Sequence, residues 1–143
     1  MTRGFQPRAL GEIAIRCGDY AAMVDFYQRV LGLEIATNGT RGTAPQRITF
    51  FRLSESFGGH IGVLALVEAS ETKSAAGPGS SLHHIALSLP WKEQDAAKAW
   101  FEEQGLPARY EYFDWAGWRG LFTQDPDGNT VELVAASPER HVT

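Results

Sequence analysis

The chain has 143 residues, of which 43% are hydrophobic and 21% charged, the size and mix of a compact globular protein with a real core. A formal net charge of −4, with Lys and Arg scattered, leaves no basic footprint for a nucleic acid. No apolar run is long enough to span a bilayer, and Met1 to Arg8 lacks the apolar core of a secretory signal. The one cysteine, Cys17, excludes an internal disulfide; its strand position suits a buried structural thiol, and the expected compartment is a reducing cytoplasm.

Leu10 to Cys17 alternates as a strand, with Leu10, Ile13 and Ile15 on an apolar face and Glu12, Ala14 and Arg16 pointing the other way. Asp19 is placed to cap a helix. Tyr20, Met23, Val24, Tyr27, Val30 and Leu31 form its apolar stripe, and Gly32 is placed to end it. Leu33 to Ala36 begins the next strand, and Thr37 to Pro45 reads as an exposed loop. Strand-like runs follow at Arg47 to Leu53 and His60 to Glu68, with a turn at 54–59. The order is βαβββ.

Ala69 to Ser81 is small, polar and aperiodic, a connection between halves. The pattern then restarts. Leu82-His83-His84-Ile85-Ala86-Leu87 matches Leu10-Gly11-Glu12-Ile13-Ala14-Ile15, and an amphipathic helix ending at Gly105 follows. Ala96, Ala97, Trp100 and Phe101 are expected on its buried face. Strands at Ala108 to Phe113 and Gly117 to Thr123 lead to the turn Asp125-Pro126-Asp127-Gly128-Asn129 and a last strand from Thr130. There Val131-Glu132-Leu133-Val134 matches Leu64-Ala65-Leu66-Val67. The expectation is an α+β fold of two βαβββ modules within one domain spanning 1–143: module one about 8–68, a linker about 69–81, module two about 82–136, then a loose tail.

The duplication states which positions are equivalent: Glu12 with His84, and Ala65 with Glu132. Glu132 alternates with apolar residues, so if buried it needs a hydrogen-bonded partner, a cation or a metal. Glu12 and His84 share their strand faces with the small residues Ala14, Ala86 and Ser88. Two carboxylates and an imidazole converging there would make a divalent-metal site with open coordination positions. Other readings stand beside this one. Glu132 could pair with Arg16, Arg47 or Arg119, and a lone His84 is more often a satisfied core histidine. By strand parity His83 faces the helix side as a structural residue; His60 reads as a strand-end surface residue and His141 lies in the tail.

The phrases Asp125-Pro126-Asp127-Gly128-Asn129-x-x-Glu132-Leu133, His84-Ile85-Ala86 and Phe26-Tyr27-x-x-Val30-Leu31-Gly32-Leu33 resemble the vicinal oxygen chelate superfamily of glyoxalase, bleomycin-resistance and extradiol-dioxygenase proteins. The resemblance runs from about Leu10 to Val134. It implies paired βαβββ units with cupped mixed sheets, and metal ligands from the first strand of each unit and a closing strand: Glu12, His84 and Glu132. Two positions depart from the family pattern. Glu12 stands where His is common, and Ala65 stands where a fourth ligand can lie. The harder, more anionic set favours Mn, Mg or Fe(II), with Zn or Ni also accommodated.

What the resemblance implies is a divalent-metal enzyme of lyase or isomerase type that polarises vicinal oxygens of a small substrate, with Glu12 or Glu132 exchanging a proton. The alternatives are a metal-free small-molecule binder of the bleomycin-resistance kind and an extradiol-type dioxygenase. The resemblance also implies a homodimer. Aromatic residues are plentiful near the expected mouth, and the substrate-binding candidates are Phe51, Tyr112, Trp115, Trp118 and Arg119. The loop Trp115-Ala116-Gly117-Trp118-Arg119 reads equally as a lid or a dimer contact.

Overall fold

The structure is a computed structural model that describes residues 3–69 and 76–139. The expected tail histidine, His141, and residues 70–75 of the expected linker lie outside the described residues. The chain divides into two compact units, Met1–Lys73 and Ser74–Thr143. Among the described residues no helix is long and apolar enough to cross a membrane.

The first unit contains β1 (Glu12–Cys17), α1 (Tyr20–Asp25), β2 (Ile35–Arg41), β3 (Ile48–Phe57) and β4 (His60–Glu68). Asp19 caps α1 as expected, its side chain accepting from the Ala22 N–H at 3.1 Å. A π-helical turn, Phe26–Val30, extends α1, and the Leu31 N–H reaches back to the Phe26 carbonyl at 2.9 Å. That wider turn brings Phe26, Tyr27 and Val30 all into the core.

The sheet order is β1-β4-β3-β2, with β1 parallel to β4 and the other pairs antiparallel. Register assigns the faces. Ile13 pairs with Leu64 and Leu64 with Phe51, while Ile15 pairs with Leu66 and Leu66 with Thr49. This face packs on the helix: Met23, Tyr27, Phe51, Leu64 and Leu66 are fully buried, and the Tyr27 and Phe51 rings stand 6.4 Å apart. The opposite face carries Glu12, Val63 and Arg52 in one row and Ala14, Ala65 and Phe50 in the next.

The second unit repeats the plan with β5 (Ile85–Ser88), a 3₁₀ turn (Trp91–Glu93), α2 (Gln94–Glu103), β6 (Arg109–Phe113), β7 (Trp118–Gln124) and β8 (Thr130–Ala136). Its order is β5-β8-β7-β6, again with the first strand parallel to the last. Ala86 pairs with Glu132 and Glu132 with Phe122, so this row is the counterpart of Ala14, Ala65 and Phe50. The expected α+β fold of duplicated mixed sheets is therefore the observed one. Gln94 is completely buried and ties α2 to the sheet, its Nε2 donating to the carbonyls of Arg119 at 2.7 Å and Leu133 at 2.9 Å.

Three local expectations are corrected. Thr37 to Arg41 is strand rather than loop, because pairing of Thr40 with Thr49 and Arg41 with Ile48 holds polar residues in β2. A hydroxyl–hydroxyl bond of 2.7 Å between Thr40 and Thr49 adds to that pairing. Leu10 precedes β1 and is 61% exposed instead of joining the apolar face. In α2 the buried residues are Gln94 and Phe101, while Trp100 and Ala96 are exposed: the seven-residue spacing from Gln94 to Phe101 defines the covered stripe, and a polar residue starts it.

Candidate functional site

The closing strand of the second unit is set by Asp125. This buried carboxylate accepts from the backbone N–H groups of Asp127 at 3.0 Å and Asn129 at 2.9 Å, and from Asn129 Nδ2 at 2.9 Å. The turn is closed further by the Gly128 N–H on the Asp125 carbonyl and by the Asp125 N–H on the Asn129 carbonyl. Chain direction is thereby locked where β8 begins, and alternation along β8 turns Glu132 away from the helix-covered face.

Glu132 is 5% exposed, between Ala86 on β5 and Phe122 on β7. His84 Nε2 lies 3.5 Å from its Oε1. Gly120 creates the space. A Cβ at that position would sit 2.2 Å from Glu132 Oε2 and 2.7 Å from the Phe122 ring, so any side chain there would evict the carboxylate. Burial raises the Glu132 carboxyl above its ordinary range; His84 opposes the rise and the Glu111 carboxylate adds to it. Two of the arginine partners considered for Glu132 are engaged elsewhere. Arg47 is bonded to Glu68 at 2.7 Å, Arg119 to Gln94 at 2.6 Å, and Arg16 lies on β1.

The structure thus brings His84 and Glu132 together within one unit. Glu12 stands in the first unit, where it lines a concavity of about 250 Å³ with Ala36, Phe50, His60 and Val63. Among the described residues no group of three or more His, Cys, Asp or Glu side chains is close enough to hold a metal ion. His60 is an exposed strand-end residue, as expected.

The aromatic and cationic candidates divide by face. Trp118 lies on the face of β7 that carries Gly120 and Phe122, and its ring is 5.9 Å from that of Trp115; the two are 42% and 77% exposed. Arg119 is turned to the other face, its guanidinium 3.9 Å from the centre of the Trp91 ring and 4.4 Å from that of Tyr110, with Nε on Gln94. It is a packed, hydrogen-bonded strut under the start of α2. Tyr112 pairs with Arg119 and shares that face, so it does not line the face of Glu132. Phe51 is fully buried against Tyr27, and its neighbour Phe50 is the ring on Glu12's face.

His83 departs from expectation too. Parity would send consecutive side chains to opposite faces, but β5 begins only at Ile85, so His83 and His84 escape that rule. Their Nδ1 atoms are 2.8 Å apart. Gly120 was legible only by comparing the halves: register makes Ile48 its counterpart, so the first unit has Ile48 with Ala65 where the second has Gly120 with Glu132.

A Gly120→Ala substitution is expected to destabilise the protein by about 1–3 kcal/mol, and by much less in a Glu132→Ala background, where the obstructing carboxylate is absent. Urea denaturation of the four proteins of this cycle checks it; equal costs in both backgrounds would show that Gly120 does not make room for Glu132. A second expectation concerns pH. With its folded pKa raised, Glu132 favours the folded state when protonated, and this contribution is lost as pH rises through the folded value. Metal-free Glu132→Gln should therefore be more stable than the parent near neutral pH, with the advantage closing on acidification below the ordinary carboxyl range. Denaturation curves across pH provide the measurement, and a constant difference would refute it.

Residues 9–133 match the family model described as the Glyoxalase/Bleomycin resistance protein/Dioxygenase superfamily. A crystal structure of lactoylglutathione lyase from Agrobacterium tumefaciens is similar at 25% identity, covering 90% of this chain and 94% of that one with a TM-score of 0.67. An antibiotic binding protein from a Streptomyces species is similar at 22% identity, covering 93% and 99% with a TM-score of 0.66. A mutant fosfomycin resistance protein from Listeria monocytogenes, complexed with Mn(II) and 1S,2S-dihydroxypropylphosphonic acid, is similar at 18% identity, covering 94% of each chain with a TM-score of 0.67. No curated protein sequence matches significantly. With a match over almost the whole chain and the duplicated βαβββ register behind it, the chain belongs to the Glyoxalase/Bleomycin resistance protein/Dioxygenase superfamily.

Proposed function

We propose that the chain is a divalent-metal-dependent enzyme of lyase or isomerase type acting on a small molecule with adjacent oxygens, with His84, Glu132 and Glu12 as the metal ligands. The observation that carries this reading is the pair formed by His84 and Glu132. A carboxylate that is 5% exposed has an imidazole nitrogen 3.5 Å away. That separation is long for a hydrogen bond. It suits two donors to one ion, since ligands about 2.1 Å from a tetrahedral centre stand about 3.4 Å apart. One nitrogen with carboxylate oxygens is a donor set for Mn, Fe or Mg, and also for Zn or Ni.

Glu12 is the proposed third ligand because the duplicated register makes it the counterpart of His84. When bound, the ion would polarise the substrate's vicinal oxygens. Within this reading Glu132 and Glu12 are the carboxylates available to exchange a proton with substrate. Trp118 and Trp115 offer ring surface for the organic part of the substrate. Phe50 and Phe122 provide apolar walls beside the acid positions of the two units. A ring-cleaving oxygenase fits less well, because its usual set has two imidazoles.

A second reading is favoured by the two exposed, mutually packed indoles: a metal-free protein that sequesters an aromatic compound. Titration of chelator-stripped protein with Mn(II) separates the two. The enzyme reading expects stoichiometric uptake that is abolished in Glu132→Ala, and turnover that chelator removes. Undiminished uptake by Glu132→Ala would remove the acid from the ligand set. Chelator-indifferent binding of an aromatic compound, with no product formed, would establish the sequestering protein instead.

The same reading includes a homodimer with Glu12 and Glu132 contributed by different subunits. Each unit has its first strand, β1 or β5, at the edge of its sheet, and Ala14, Arg16, Ala86 and Ser88 stand exposed on the open faces. Sedimentation at micromolar concentration should give twice the chain mass; a monomer would refute the shared arrangement.

A further inference from the structure

The metal reading leaves one contact of His84 unused. Its Nδ1 lies 2.8 Å from His83 Nδ1, and the two rings meet edge to face, 5.0 Å between centres at 76°. Two ring nitrogens at that distance share one proton, one donating and the other accepting. The opposite nitrogen of His84, Nε2, faces Glu132 Oε1. A neutral imidazole carries one ring proton, so whatever holds that proton at Nδ1 determines what Nε2 can do.

We propose that His83 is a positioning residue for His84 as a ligand of a divalent cation: His83 Nδ1 accepts the Nδ1–H of His84 and so leaves His84 Nε2 as a bare lone pair directed at the Glu132 side. The inference rests on the metal reading of the site. In metal proteins the second nitrogen of a ligating histidine is ordinarily held by a carboxylate or a backbone carbonyl. Here a second imidazole fills that place, and unlike a carboxylate it can also donate.

That capacity makes the pair reversible. Without a cation, a bare Nε2 opposite a carboxylate is repelled, so the favoured arrangement places the proton on His84 Nε2, toward Glu132, and has His83 Nδ1–H donate to His84 Nδ1. With a cation the donor and acceptor exchange roles, and His83 changes tautomer along with His84. The geometry allows this because both histidines precede β5 and are free of strand alternation; within the strand their rings would stand on opposite faces.

The test uses the full chain with Zn(II), a diamagnetic probe. At about pH 8, above the ordinary imidazole range, ¹⁵N-histidine spectra should show His84 protonated at Nε2 and His83 at Nδ1 in metal-free protein, and both exchanged after zinc is added. Calorimetric zinc titration of His83→Phe, which keeps bulk without an acceptor, should show a 10- to 100-fold loss of affinity. His83→Asn, whose amide oxygen can accept the same hydrogen bond, should recover most of it. Zinc uptake unchanged in His83→Phe, equal losses in both variants, or zinc-loaded His84 still protonated at Nε2 would each overturn the inference while leaving the metal reading standing. No uptake by the unsubstituted protein would overturn both.

Discussion

The parallel pairing of the first and last strands of each unit is the constraint on which the site depends. In a βαβββ unit these strands are the most distant in sequence and lie side by side in the sheet, so their register decides which side chains meet across the pair. Ala14 faces Ala65 in one unit, and Ala86 faces Glu132 in the other. A slip of one residue would move Glu132 to the helix-covered face and put Leu133 or Val131 in its place. The hydrogen bonds within the Asp125 turn protect against that slip, since three donors converge on one buried carboxylate just before β8 starts.

Given that register, Glu132 remains costly because a carboxylate surrounded by strands loses solvation that a single imidazole at 3.5 Å restores only in part. The raised pKa records the same cost. Its accommodation is steric as well as electrostatic: Gly120 leaves a gap that a methyl group would close. The first unit has the reverse arrangement, a large Ile48 and a small Ala65 on the corresponding face. Duplication therefore preserved the backbone while the volumes and charges of one residue pair were exchanged.

Arg119 shows how the same strand serves packing and chemistry on its two faces. It follows Trp118 by one residue and precedes Gly120, yet it belongs to the support of α2, held by Gln94 and flanked by Trp91 and Tyr110. Tyr110 is drawn into the same cluster: burial, with its hydrogen bond to Asp95, pushes its phenol up to about 12. A guanidinium with a planar acceptor and two ring faces is anchored, so an anionic substrate group would have to displace those contacts to reach it.

The sequence by itself determined the duplication, the α+β class, the Asp19 cap, and the placement of Glu132 away from the helix side, because these follow from periodicity and turn chemistry that act within a few residues. It also showed Glu12 and His84 as equivalent, since the internal match supplied an alignment that no single strand contains. Only tertiary structure decided β2, where polar residues are held as strand by pairing with β3 across the sheet. It likewise decided that Phe50 rather than Phe51 shares Glu12's face, that Arg119 is a strut, and that His83 touches His84. Each of these depends on where a strand begins or on what covers its second face. Such facts are set by long-range register and packing, and local residue preference carries no information about them.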